Sequence, residues 1–387
     1  MNKYALLLSG LLAFSAPLSG SHPAAAAPLA KADEISFPNS YRRSLTSKVN
    51  GVTYGLRIFL PQSYDPAKAH RYPVFYFIRG EHFGAYFAEL ARILSAGDIS
   101  PIIVVGIDFP ADQSYFMDLP TAGHDPHWTV PENRGAANFL KILTTEIKPL
   151  IDQEFPTNPD DTGIGGHSMG GFFALYALFS APDIFSHVYA SSPSLIWQDQ
   201  VLLRYEAALA AHGKDLHARV FVDEGEQESQ DERLSALDKA IRSRTYPSLR
   251  WTARRTAGQT HQTIAFANGL DALYFIYGPD LRQADQAEID ELSGEWQRSD
   301  GEHFRIRATE GRMYLVGFDD EDDVQTEILS EKRGEWFIRY LWHRFRVERD
   351  AAGTVTLVFE MQDTPGPNGE AKAPRLTARR KAFRPQS

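Results

Sequence analysis

The chain has 387 residues, 43% of them hydrophobic and 23% charged, with a formal net charge of -10 and no cysteine. That length predicts two globular units, and the negative balance argues against a phosphate-backbone binder, which needs a basic face, so no nucleic-acid partner is expected. Lack of cysteine excludes disulfides, thiolate nucleophiles, Cys-ligated metals and a lipid-modified cysteine near the N-terminus.

The first 26 residues read as a signal peptide. Lys3 supplies the positive start, the stretch from Ala5 to Leu18 the apolar core, and Ala24 with Ala26 the A-x-A cleavage pattern. Ser9, Gly10, Ser15 and Pro17 interrupt the apolar run, which argues against a stable membrane anchor. The mature protein is expected outside the cytoplasm, periplasmic or secreted.

From about residue 33 to 280, strand-like and helix-like segments alternate. Tyr54 to Leu60 is β-like and ends at Pro61, and Tyr72 to Ile78 (YPVFYFI) is a continuous apolar run of the kind buried on both faces. Phe83 to Ala96 reads as a helix, Ile102 to Ile107 as a second buried strand and Ala136 to Ile151 as a helix. A short strand, Thr162 to Gly166, leads into a helix from Gly170 to Phe179. His187 to Ala190, Arg219 to Val222 and Leu249 to Arg254 are strands; Val201 to Ala211, Glu232 to Arg242 and Thr263 to Tyr277 are helices. Such alternation implies a doubly wound, mostly parallel α/β sheet with helices on both faces.

After Gly278-Pro279 the character changes. Ala284 to Leu292 is acidic and linker-like, and from there to about residue 385 short β-like runs (HFRIRA, EGRMYLVGF, EWFIRYLWHRFRVE, TVTLVFEMQ, PRLTARR) alternate with turn signals. A small antiparallel β domain over 287–385 is expected, with the Pro- and Gly-rich stretch Asp363 to Ala373 as a hairpin connection.

The chemistry concentrates at Gly165-Gly166-His167-Ser168-Met169-Gly170-Gly171. It contains G-x-S-x-G between a short strand and an apolar helix, the setting in which glycines permit a tight turn that lifts a serine hydroxyl clear of the sheet. The next backbone N–H, that of Met169, then lies at a helix N-terminus where an oxyanion can form. Ser168 is the expected nucleophile.

A lone serine needs a base, and in this fold class the chain order is Ser, acid, His. His261 follows the last predicted strand and precedes a helix. His187, His212 and His217 come before the expected acid, and His303 and His343 belong to the β domain. The acid lies at the end of the Arg219 to Val222 strand, where Asp223, Glu226 and Glu228 are all candidates.

At these residues the chain resembles the α/β-hydrolase esterase group that includes the siderophore, enterobactin-type esterases. The resemblance covers about Ser44 to Tyr277. It is carried by Tyr72-Pro73-Val74 before Arg79-Gly80-Glu81, by Gly135-Ala136-Ala137-Asn138-Phe139-Leu140, by Ser191-Ser192-Pro193-Ser194-Leu195-Ile196-Trp197, and by His261-Gln262-Thr263. Gly225-Glu226-Gln227-Glu228 is similar to the group's G-x-x-E turn, which favours Glu228 as the acid, with Glu226 the alternative. The resemblance also implies a second oxyanion donor at the backbone N–H of Gly80 or Glu81, and an acyl or alcohol pocket lined by Ser192, Pro193 and Trp197. Two departures bear on substrate choice: Arg79 replaces the usual Asp, and no basic residue follows the next strand between Asp108 and Met117. The C-terminal region is similar to β modules appended to other exported hydrolases.

The expected activity is therefore that of an exported serine carboxylic-ester hydrolase working on a small-molecule ester, siderophore or otherwise, without a cofactor. Acyl transfer to an alcohol and peptidase activity are the alternatives at the same site. His124-Asp125-Pro126-His127 sits among Pro and Gly, unlike the helical HExxH of metalloproteases, and reads as a lid loop with Trp128 toward substrate. Asp319-Asp320-Glu321-Asp322-Asp323 lacks the ligand spacing and central glycine of a calcium loop and reads as a solvated turn, so no metal is expected.

Overall fold

The computed structural model describes residues 37–67, 71–95, 98–111, 115–124, 129–228, 231–318, 325–338, 343–360 and 376–380. The expected signal peptide, Asp125 to Trp128, the Asp319 to Asp323 run and the Asp363 to Ala373 connection lie outside the described residues.

Strands β1 (Ser40–Thr46) and β2 (Thr53–Phe59) form an antiparallel pair. Strand β3 (Tyr72–Ile78) runs into helix α1 (Gly80–Leu94), followed by β4 (Ile103–Asp108). Next come α2 (Tyr115–Asp118) and a small hairpin, β5 (Gly123–His124) with β6 (Thr129–Val130). Helix α3 (Ala136–Ile142) passes through a π turn (Leu143–Ile147) into α4 (Lys148–Glu154); Pro149, which has no N–H to donate, follows the π turn. Then β7 (Thr157–His167), α5 (Met169–Ser180), β8 (His187–Ser191), α6 (Val201–Ala211), β9 (Arg219–Gly225), α7 (Asp231–Arg242), β10 (Arg250–Thr256) and α8 (Ile264–Tyr277) alternate.

The sheet order is β1-β2-β4-β3-β7-β8-β9-β10. From β4 to β10 every neighbour is parallel; only the β1–β2 and β2–β4 pairings are antiparallel. Strand periodicity sends alternate side chains to two separate cores. Tyr72, Val74, Tyr76 and Ile78 of β3 join the core shared with α3 to α7, whereas Phe75 and Phe77 join the core shared with α1 and α8. Helix α5 is apolar all round, and Met169 to Phe179 are all buried, as expected of a helix inside the molecule. Most residues of β1 are exposed, so its sequence shows no apolar alternation that would mark it as a strand.

The acidic segment read as a linker instead contains helix α9 (Gln286–Leu292). Asp285 accepts from the Glu288 N–H at 2.9 Å, and the Glu288 side chain accepts from the Asp285 N–H at 3.3 Å, so a capping box starts a helix where composition suggested coil. Beyond it, β11 (Gly294–Arg298), β12 (His303–Thr309), β13 (Arg312–Val316), β14 (Gln325–Lys332), β15 (Glu335–Ile338), β16 (His343–Arg349), β17 (Val355–Glu360) and β18 (Leu376–Arg380) close an antiparallel barrel, with β11 pairing back to β18. Closure leaves no unpaired sheet edge. Trp296, Phe304, Ile306, Leu315, Trp336 and Phe359 are among the side chains that fill it. Strands β11 and β14 show little apolar pattern, with Trp296 the one buried residue of β11 and Ile328 and Ser330 those of β14. Among the described residues no helix is long and apolar enough to cross a membrane.

Candidate active site

Ser168 occupies the junction between β7 and α5 with φ 58° and ψ −117°, a conformation that L residues seldom adopt and that turns the chain abruptly. The turn is tight enough to require glycine on both sides. A Cβ on Gly166 would come within 2.9 Å of Gly170 C and of Ile78 O, and one on Gly170 within 3.0 Å of Ile78 O. The Ser168 N–H donates to Ser191 O at 2.9 Å, tying the bend to β8. Met169 opens α5, and Gly80 and Glu81 open α1, so their N–H groups belong to helix first turns that lack intrahelical acceptors.

Ser168 and His261 face one pocket of about 240 Å³, walled also by Arg79, His82, Phe83 and His167. Arg79 and His82 bracket Gly80 and Glu81, which puts the start of α1 at the rim of the same pocket. His261 lies between β10 and α8, and its Nδ1 is 2.7 Å from Glu228 Oε2. The Glu228 side chain is 4% exposed, against 36% for His261. Burial pushes the Glu228 carboxyl up, but hydrogen bonds from His261, Ser192 and the Gly225 N–H outweigh it and hold the group below the usual glutamate range. The Ser168 hydroxyl sits 3.3 Å from Ser194 Oγ, and no hydrogen bond joins it to His261 in this structure.

The other two candidate acids stand apart from the imidazole. Glu226 is exposed, and its carboxylate accepts from the Gly258 N–H at 3.0 Å. Asp223 is fully buried within β9, where Tyr189 Oη donates to it at 3.1 Å and the Ser192 N–H at 3.2 Å. Burial pushes its carboxyl up to about 7.

Ser192, Pro193 and Trp197 do not line the Ser168 pocket. Ser192 has φ 41° and is 1% exposed; its hydroxyl donates to Glu228 Oε2 and lies 2.7 Å from His261 Nδ1. It thus backs the imidazole and does not face the cavity. Trp197 is buried in the main core and donates from Nε1 to Thr121 Oγ1 at 3.0 Å. The Cα of Pro193 would meet a Cβ on Gly171 at 3.3 Å, so the segment packs under α5. His124, the described part of the suspected lid motif, places Nδ1 3.0 Å from Thr129 Oγ1 across the β5–β6 hairpin.

His167, for which the sequence suggests no role, holds the histidine loop in place. Its Nε2 lies 2.6 Å from the His261 carbonyl oxygen; a carbonyl only accepts, so the nitrogen carries the proton and donates. Burial, then the proximity of His261, push His167 down to about 4, so the ring is neutral near pH 7. Phe83 meets it edge-on at 4.9 Å. The signal in the sequence was an imidazole inside an otherwise glycine-rich strand end.

Residues 47–270 match the family model described as "putative esterase". The ferri-bacillibactin esterase of Bacillus subtilis is 27% identical over 187 residues, which cover 44% of this chain and 63% of that protein. The siderophore triacetylfusarinine C esterase of Aspergillus fumigatus is 26% identical over 197 residues, covering 47% and 65%. The chain thus spans under two thirds of the length of either relative. The crystal structure of the BES protein from Bacillus cereus superposes with a TM-score of 0.58 at 25% identity, covering 64% of this chain and 98% of that one.

Proposed function

The chain belongs to the "putative esterase" family, and on that premise we propose that it is an exported serine carboxylic-ester hydrolase using Ser168, His261 and Glu228. The observation that carries the reading is the Glu228–His261 contact on the wall of the pocket that Ser168 faces. An Nδ1–H held by a buried carboxylate leaves the Nε2 lone pair of His261 as the base and stabilises the imidazolium that forms when it takes a proton.

Catalysis then runs as acyl transfer to and from serine. With an ester in the pocket, the Ser168 hydroxyl leaves Ser194, gives its proton to His261 Nε2 and attacks the carbonyl. The N–H groups of Met169 and of Gly80 or Glu81 hold the oxyanion. The C–O bond to the alcohol breaks, the alcohol leaves with the proton from His261, and an acyl–Ser168 ester remains. Water gives a proton to the same imidazole and adds to that ester; the C–O bond to Ser168 then breaks, the serine oxygen takes the proton back from His261 and the acid is released. The names of the relatives support siderophore or other acyl esters as the substrate class. Export is supported by the basic start at Lys3 and the apolar stretch from Ala5 to Leu18.

The test is turnover of short aryl esters and of siderophore lactones by the wild type and Ser168→Ala. A loss on the order of 10³-fold or more is expected. Equal turnover by the two proteins contradicts the assignment.

A further inference from the structure

Among the described residues that wall the Ser168 pocket, Arg79 is the one arginine or lysine, and the hydrolytic steps above make no use of its charge. It stands at φ 64° directly before α1, with its side chain 16% exposed. Three contacts fix the guanidinium. Nε donates to Glu81 Oε1 at a long 3.3 Å, Nη2 donates to His82 Nε2, and Cζ lies 3.8 Å over the centre of the Tyr115 ring. Burial and the nearby Arg79 charge keep the His82 imidazole below its ordinary value, so it accepts from Arg79 as a neutral ring. His167, on the same wall, is neutral as well.

The guanidinium is therefore clamped mostly by uncharged groups. Its carboxylate partner among the described residues, Glu81, is 29% exposed and at the outer limit of hydrogen bonding. Nη1 has no hydrogen-bond partner among the described residues. A partly buried guanidinium on a cavity wall, with a donor left over, favours an anion in the cavity, and its planar fork suits a carboxylate.

We propose that Arg79 is the anion subsite of this pocket and that the preferred substrates are esters whose acyl part carries a carboxylate, as half esters of dicarboxylic acids do. The proposal rests on the hydrolase reading above and adds the acyl class to it. Held by Arg79, the distal carboxylate would set the acyl chain across the pocket, with its carbonyl at Ser168.

The experiment compares kcat/KM for 4-nitrophenyl hemiglutarate and 4-nitrophenyl valerate, two esters of similar size that differ in the terminal carboxylate, after subtraction of spontaneous hydrolysis. The wild type is expected to prefer the anionic ester by about 10- to 100-fold, the worth of a hydrogen bond to a charged group. The preference should fall toward unity in Arg79→Gln, persist in part in Arg79→Lys, and shrink in the wild type as salt is raised. A wild-type ratio near one, or a ratio in Arg79→Gln equal to that of the wild type, overturns the subsite. If Arg79→Gln does not fold, the wild-type ratio and its salt dependence decide alone. Turnover of the neutral ester without the preference defeats the subsite and spares the hydrolase reading, whereas no turnover of either ester defeats both.

Discussion

The imidazole of His167 donates from Nε2 to the backbone carbonyl of His261 at 2.6 Å, and the two rings lie 4.5 Å apart. The residue next to the expected nucleophile thereby grips the loop that carries the expected base. Protonating that buried ring costs folding free energy. With the folded value near 4 and an unfolded value near 6.5, stability is fully present above about pH 6.5 and is lost as pH falls through about 4. Thermal unfolding of the wild type should therefore show Tm dropping across that window more steeply than in His167→Gln. Parallel curves would assign the acid sensitivity to other groups.

Glu228 and Glu226 lie two positions apart but have opposite surroundings. The first is buried against His261, and the second is exposed and accepts from the Gly258 N–H. Glu228→Gln should lower kcat by roughly 10³- to 10⁴-fold, in line with loss of the carboxylate that holds a catalytic imidazole. Glu226→Gln should stay within about twofold, as surface changes usually do. Steady-state kinetics on one aryl ester checks both, and equal losses would contradict the assignment of the acid.

Ser192 donates to the carboxylate oxygen that also receives His261. Ser192→Ala removes one of the bonds that hold the Glu228 carboxyl down, so kcat should fall by about 10-fold. The acid limb of the kcat/KM profile should also move to higher pH. A fall in kcat with the pH profile unmoved would mean a merely structural role.

Gly225 ends β9 beneath the histidine loop. A Cβ there would stand 2.4 Å from Gln259 O and 3.0 Å from Thr260 C, directly against the residues before His261. Gly225→Ala should cost about 1–3 kcal/mol by overpacking and displace the loop. Activity should then fall more than the remaining folded fraction explains, as read by denaturation and turnover on the same preparation.

What the sequence disclosed was what short spacing encodes. Glycines around Ser168 announce the bend within seven residues, and the apolar run of β3 announces a strand covered on both faces. Chain order led to His261, and a turn pattern to Glu228. The contacts of His167, Ser192 and Arg79 were not legible, because each depends on a neighbour brought up by another element. The SSPS stretch fixed Ser192 after β8 but not its direction; the positive φ turns its hydroxyl to the back of the imidazole and away from the cavity. Helix α9 shows the converse, since its Asp285-x-x-Glu288 box was in plain view and was outweighed by acidic composition.

On the proposed mechanism Ser168 is nucleophilic because His261 serves it. The most direct measurement is covalent labelling with a fluorophosphonate followed by peptide mass mapping, in the wild type and in His261→Ala. A single adduct on Ser168 at one per chain is expected, with labelling slowed on the order of 10³-fold or more in the variant. An adduct on another residue, or equal rates in the two proteins, would contradict it.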